Sequence, residues 1–551
     1  MVDRDYDYDY DLGSHSFPVT TGSAAAQIWF DRGLLWCYGF NHEEALRCFE
    51  RAAAADPTCA MAYWGQAYAI GPNYNKDWDA FEPQELIDSV GSAHVAVARA
   101  GELAEACSAM ERSLIRALAA RFPQGTPPEE CAPWSDAYAA AMREVYGRHG
   151  DHADVAALFA EALIGRTPWQ LWNLDTGEPA EGADTTEALA VLERAMARSD
   201  EPHPGLLHMY LHTMEMSPHP ERAQSAADQL RDLVPDAGHL RHMPTHIDVL
   251  CGRYGDVITS NETAIEADRK FLQREGPLNF YTLYRCHNYH FKIYGAMFQG
   301  RLEPALEAAA EMAATLSPDV LRIEVPPMAD WAEAFVPMRQ HVFIRFGLWQ
   351  QLIDDPLPDD PVLYASTTTL MHYAKGVAHA ASGDVESADR ERELFAQAYQ
   401  RLPESRYLFN NSSRDIMGVA ERMLDGEIEY RRGNHGEAFD HLREAVERDD
   451  NLLYDEPWGW MQPARHALGA LLLEQGEIDE AAAVYRADLG LDGTLRRPCQ
   501  HPNNVWSLHG YHECLHRLGR CDEAEAIRPQ LDAAVAQASV PITASCFCRV
   551  A

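Results

Sequence analysis

The sequence predicts an all-α solenoid, a curved stack of helix–turn–helix repeats around a concave groove. Three observations predict it. Ala, Leu, Glu, Arg and Gln are abundant while runs of Val, Ile and Thr are scarce, which favours helix over sheet. Pairs of small residues twelve positions apart recur at Gly33/Ala45, Gly376/Ala388, Gly426/Ala438 and Gly469/Ala481. Turn signals stand at Gly252-Arg253, Gly300-Arg301, Gly383-Asp384, Gly433-Asn434, Gly476-Glu477 and Gly519-Arg520, each between two helical stretches. Such units bury their apolar faces only against neighbours, so they stack into an array with an inner surface.

Taken in order, residues 1–20 are expected to be an acidic, flexible tail. Its start, MVDRDYDYDYDLGSHS, has neither the basic residues nor the apolar stretch of a signal peptide. From Trp29 to Pro57 helical periodicity runs to Tyr38, breaks at Gly39, resumes at His42 and ends at Asp56-Pro57. Gly33 and Ala45 let the two helices approach closely, while Trp29 and Phe49 fill the space beside them. The stretch GPNYNKDW breaks helix early and offers Asn73, Tyr74, Asn75 and Lys76 to the groove mouth. Glu161, inside the apolar VAALFAEALIG, needs a buried partner, with a structural Arg ahead of a metal. Segment 165–190, with Trp169 and Trp172, is irregular. Proline-rich interruptions at 122–134, 354–361 and 496–502 read as inter-helix loops. The repeat array is therefore expected to span 21–535, with a histidine-rich centre at 203–346. A C-terminal tail, 536–551, carries Cys546-x-Cys548.

Composition narrows the function. Against 46 basic residues stand 85 acidic ones, a formal net charge of −39, which disfavours nucleic acid and anionic membrane surfaces as partners. No apolar run approaches the roughly 20 residues that span a bilayer, and the expected location is the cytoplasm. The 12 cysteines are scattered and read as small buried hydrophobes of a reducing compartment. There is no glycine-rich phosphate loop, no G-x-S-x-G elbow and no dinucleotide fingerprint.

The histidines of 203–346 fall in register. Aligning Ala223 with Val257, a shift of 34 residues, carries His208 onto His242 and His212 onto His246. Aligning Gly252 with Gly300 carries His239 onto His287, His242 onto His290 and His246 onto Tyr294. A step to Gly347 adds His341 to the last column. Residues three or four apart share a helix face, so Glu215 continues the stripe of His208 and His212.

The offsets of Trp29, Gly33, Trp36, Ala45, Phe49, Ala52 and Pro57, and the 34-residue period, resemble the tetratricopeptide repeat over most of 25–535. That resemblance implies a right-handed superhelix and places the histidine columns on its concave face. The stretches HPGLLHMYLHTMEMSPHPERA, HLRHMPTHI and HPNNVWSLHG and the closing CFC are similar to a histidine-rich bacterial and fungal subfamily, which implies the fold without an activity. Members of the wider family hold peptides in the groove, and their carboxylate-clamp members do so with Lys, Arg and Asn. Here those columns hold His and Glu instead.

Neutral imidazoles one helical turn apart supply ready pairs of metal ligands. The expected ligands are His208, His212, His239, His242, His246, His287 and His290, enough for one or two ions, with Glu215, Tyr294 and His341 near the reacting centre. A histidine-rich, carboxylate-poor set suits copper or iron at least as well as zinc. The leading expectation is a metal-dependent oxidoreductase acting on a small molecule or peptide in the groove. His208–His212 is no HExxH site, because Met209 stands where the catalytic Glu belongs. The alternatives are a scaffold whose histidines contact a bound peptide, a metal storage or delivery protein exchanging through Cys546 and Cys548, and a zinc hydrolase. A second patch, Cys499 to His516, reads as repeat packing or a zinc site.

Overall fold

The computed structural model describes residues 8–549 and is all-α. Extended structure among the described residues is a two-residue hairpin, Tyr407–Leu408 with Asn411–Ser412, and isolated bridges. The chain divides into two compact units, Met1–Ile247 with Glu266–Lys270, and Asp248–Ile265 with Phe271–Ala551.

In the first unit α1 (Ala24–Tyr38), α2 (His42–Ala55), α3 (Ala60–Ile70), α4 (Pro83–Leu103), α5 (Ala109–Arg121), α6 (Ala132–His149), α7 (Ala153–Ile164), α8 (Thr185–Arg198) and α9 (Pro204–Glu215) pack in succession, and α9 also meets α1 and α7. Then come α10 (Gln224–Leu230), α11 (Gly238–His242) and the start of α12 (Pro244–Leu250). The first hairpin forms as its residues dictate. Ser23 and Asn41 cap α1 and α2, and Phe49 is clasped between Gly33 and Gly65, where an added Cβ would stand 2.7 and 2.3 Å from its ring. Trp29 departs from expectation. It lies half-buried under the guanidinium groups of Arg32 and Arg51, each 4.6 Å from the ring, instead of filling the helix pair.

Residues 8–20 are not a loose tail. Tyr10, Leu12 and Phe17 are buried, and Tyr8 Oη accepts from Trp36 Nε1 at 2.6 Å. The aromatic residues between the aspartates gain more from burial than the charges lose by lying beside the surface. Residues 1–7 lie outside the described residues. Glu161 faces Arg121 at 3.7 Å, the structural pairing expected of it.

The second unit repeats the same construction. Ala365–Ala381 packs with Val385–Arg401, Ser413–Arg432 with His435–Asp450, Ala464–Gln475 with Ile478–Asp488, and Val505–Arg517 with Cys521–Gln537. Tyr485 is clasped between Gly469 and Gly510 as Phe49 is between its two glycines. All six turn glycines named above have φ between +71° and +87°, the left-handed region that ends a helix without a Cβ penalty. The C-terminal segment docks on this unit. Cys546 and Cys548 are buried and joined to each other, and Arg549 pairs with Glu513 at 2.7 Å. Two sulfurs bonded to each other offer no thiolate to a metal, so the carrier alternative would need Cys546 and Cys548 reduced. No helix among the described residues is long and apolar enough to cross a membrane.

Candidate metal centre

Helix α9 begins at Pro204 behind the cap residue His203. It carries His208, His212 and Glu215 down one face. Gly205 opens the way for α1: a Cβ there would stand 2.6 Å from the Tyr38 ring. Tyr38 thereby acts as a clamp, its carbonyl 2.5 Å from His208 Nδ1 and its hydroxyl donating to Asp154 at 2.7 Å. His239 and His242 stand on α11 and His246 on α12, with Pro244 interrupting the helix between them.

The hydrogen bonds decide where the imidazole protons sit. A carbonyl or an ionised carboxylate only accepts, so a ring nitrogen facing one carries the proton and its partner keeps the lone pair. His208 Nδ1 donates to Tyr38 O. His212 Nδ1 donates to Glu215 Oε1 and His246 Nδ1 to Glu215 Oε2, both at 2.9 Å. All three rings therefore keep their Nε2 lone pairs. The Nε2 atoms of His208 and His212 are buried without a hydrogen-bond partner among the described residues. One nitrogen from each of His208, His212 and His239 lies within 4.8 Å of the others. Small ring rotations would close that to the roughly 3.3 Å between two nitrogens on one tetrahedral ion. His242 Nε2 and His246 Nε2 are 2.7 Å apart.

His208, His212, His239 and Glu215 are fully buried. Burial first, then the neighbouring imidazole of His246, pushes His208 down to about 3. Burial and the rings of His208, His246 and His242 push His212 well below the ordinary histidine range. Both are neutral at physiological pH, the form that binds a metal. Glu215, expected near the reacting centre, directs both oxygens at imidazoles. It fixes the orientation of both rings, the arrangement that carboxylates make behind metal-bound histidines.

Sequence reasoning missed the aromatic walls. Phe40 has φ +55° and packs against His208, His212 and His239, with ring centroids 4.6, 5.6 and 5.4 Å away. A bulky residue in the left-handed region is uncommon and marks a site held by its surroundings. Tyr74, fully buried, lies 4.7 Å from His212, so GPNYNKDW delivers its tyrosine and not a polar mouth. Only the φ of Phe40 distinguishes it, and nothing in Gly39-Phe40-Asn41 announces that.

The remaining expected site residues stand in the second unit. His287 and His290 pack around Phe409, itself at φ +50°. Tyr294 is stacked between Phe298 and Trp458, at 4.4 and 5.5 Å. His341 meets Trp460 edge-on at 5.0 Å. Burial pushes both His290 and His341 down to about 3. The patch from Cys499 to His516 does not form one site: His501 bonds Asp488 at 2.8 Å, while His512 and His516 pair at 3.2 Å on an outer face. A further group, His15, Asp154 and His203, has suitable residues but the wrong protons. His203 Nδ1 accepts the Leu206 N–H at 3.2 Å, which leaves its proton on Nε2, 3.2 Å from Asp154 Oδ1 but not aligned to donate to it.

No protein-family model matches the chain, and no curated protein matches it either. Among solved structures, the crystal structure of the yeast Tom70 matches with a TM-score of 0.29 and 12% identity, over 92% of this chain and 96% of that one. The structure of Naa15/Naa10 bound to HypK-THB matches with a TM-score of 0.23 and 13% identity, over 92% and 70%. Neither likeness carries an argument about partners or chemistry. The helical-repeat fold stands on the chain's own helices, and the narrower histidine-rich subfamily rests on its motifs alone.

Proposed function

We propose that this chain binds a transition metal through the imidazoles of His208, His212 and His239, and that the ion serves oxidation–reduction chemistry. The observation that carries the reading is the pair of buried Nε2 lone pairs on His208 and His212, each aimed by a proton acceptor behind the ring. A buried polar atom without a partner costs about 1–3 kcal/mol, and a bound cation removes that cost. Imidazole-only ligation suits copper or iron at least as well as zinc, and the redox reading takes copper or iron as the occupant with zinc as the alternative. Full burial keeps these three rings from contacting a bound peptide, so the alternative scaffold role would rest on other residues.

Elemental analysis of untagged protein purified without added metal tests this. The expected result is near-stoichiometric copper, iron or zinc, lost from a His208→Ala/His212→Ala variant that keeps its helical circular dichroism. Equal, sub-stoichiometric metal in both proteins after reconstitution would sink the reading. Copper would add an electron paramagnetic resonance signal with nitrogen hyperfine structure, and oxygen uptake with candidate reductants would then test the redox role.

A further inference from the structure

Two histidines of the second unit stand in chelating register on its surface. The helix Val505–Arg517 starts at Asn504, whose side chain accepts from Ser507 N, and it buries Trp506, Leu508, Tyr511, Cys514 and Leu515. His512 and His516, one turn apart, fall outside that apolar face, so packing of the core gives them no part to play. His516 is exposed and His512 half-buried. Their Nε2 atoms are 3.2 Å apart and their ring centroids 4.5 Å.

That contact is a single hydrogen bond, with the proton on Nε2 of one ring. Near solvent the same ring can carry its proton on Nδ1 and give it to water, which leaves two Nε2 lone pairs beside one space. With metal–nitrogen bonds of about 2.0 Å, two imidazole nitrogens on one ion stand roughly 2.8 Å apart in a square plane and roughly 3.3 Å apart in a tetrahedron. The observed 3.2 Å lies in that range, so the rings reach a common ion by turning about χ2, with the helix unmoved.

The surroundings favour a cation. The helix Cys521–Gln537 packs alongside and presents Glu525 and Asp532 to His512. Arg528 faces His512 too, but its charge is met by Glu525, 2.9 Å away. Arg528 first, then both imidazoles, hold Glu525 below its usual range, so it stays ionised. Burial, then His516 and Arg528, lower His512, which keeps that ring in the neutral form that binds metal.

We propose that His512 and His516 form a solvent-facing chelate for a divalent transition ion, Cu²⁺ ahead of Ni²⁺ and Zn²⁺, sharing no residue with the buried centre. Copper leads because affinity at nitrogen ligands rises along the first row to Cu²⁺. Water completes the coordination shell, so the ion exchanges freely with ligands in solution. The site captures and hands over a cation, and it needs no substrate pocket.

The test is retention of the untagged full chain on immobilised Ni²⁺–iminodiacetate, which holds a protein firmly only through paired imidazoles. The parent is run beside His512→Gln/His516→Gln and His208→Ala/His212→Ala, with circular dichroism as the check on folding. Glutamine suits an exposed helical position, so the first variant keeps its helix. The parent and His208→Ala/His212→Ala are expected to stay bound until imidazole displaces them, while His512→Gln/His516→Gln passes through. Titration of Cu²⁺ against a chromophoric chelator should show one labile ion in the parent, bound at least about tenfold more weakly in His516→Gln, because one of two linked ligands is gone. A parent that is not retained, or equal retention of the parent and His512→Gln/His516→Gln, would overturn the proposal. Retention lost in His208→Ala/His212→Ala would overturn it too, and would assign the binding to the buried centre.

Discussion

Glu215 takes an N–H from His212 with one oxygen and from His246 with the other. One side chain thus sets the tautomers of two rings on different helices. Replacing it with Gln leaves one acceptor and turns an NH2 toward the second ring's N–H. Metal affinity is expected to fall about 10- to 100-fold, the usual cost of losing an orienting partner, read by competition with a chromophoric chelator; an unchanged affinity would remove Glu215 from the site. Buried neutral histidines also make stability depend on pH. His341 is held at about 3 by burial, and His466 at about 4, by burial against the opposing pull of Asp488. Both lie below the 6.5 of an unfolded chain, so the unfolded state binds more protons as pH falls. Their stabilisation is complete above about pH 6.5 and declines toward 4, at up to ~1.4 kcal/mol per pH unit for each ring. Urea midpoints measured at pH 7.5 and 5.5 check this, with lower stability expected at 5.5.

At the scale of the helix, the recurring device is an aromatic ring clasped by two glycines. Gly469 and Gly510 hold Tyr485 so closely that a methyl group on either would stand 2.6 or 2.4 Å from the ring. Gly469→Ala is expected to destabilise by about 1–3 kcal/mol, the range for overpacking a core. Gly436 lies in the helix His435–Asp450 with open space where its Cβ would go. Gly436→Ala should therefore stabilise by about 0.4–1 kcal/mol, because it restricts the unfolded chain and favours helix. Urea titration of the two variants distinguishes them by sign. The first glycine of each clasp was legible from the twelve-residue spacing, but the second, Gly65 or Gly510, belongs to the following repeat and was not. The fate of Trp29 was not, because an indole satisfied by two surface guanidinium groups leaves the same periodicity as one in the core.

Over the whole molecule, the surplus of acidic residues predicts passage through heparin at low salt without retention, and retention there would contradict the expectation that nucleic acid is disfavoured as a partner. The helical class, the boundaries of the first hairpin and the six left-handed turns could be read from the chain, because periodicity and glycine placement are local properties. The histidine register was legible for the same reason. Its consequences depended on tertiary structure. The tyrosine that aims His208 lies 170 residues away. Phe40 reaches three histidine rings through a backbone conformation its neighbours do not encode, and an imidazole lone pair left open at His212 is spent on a backbone N–H at His203. Which nitrogen of an imidazole keeps its lone pair is set by the acceptor packed behind it, and only folding brings that acceptor there.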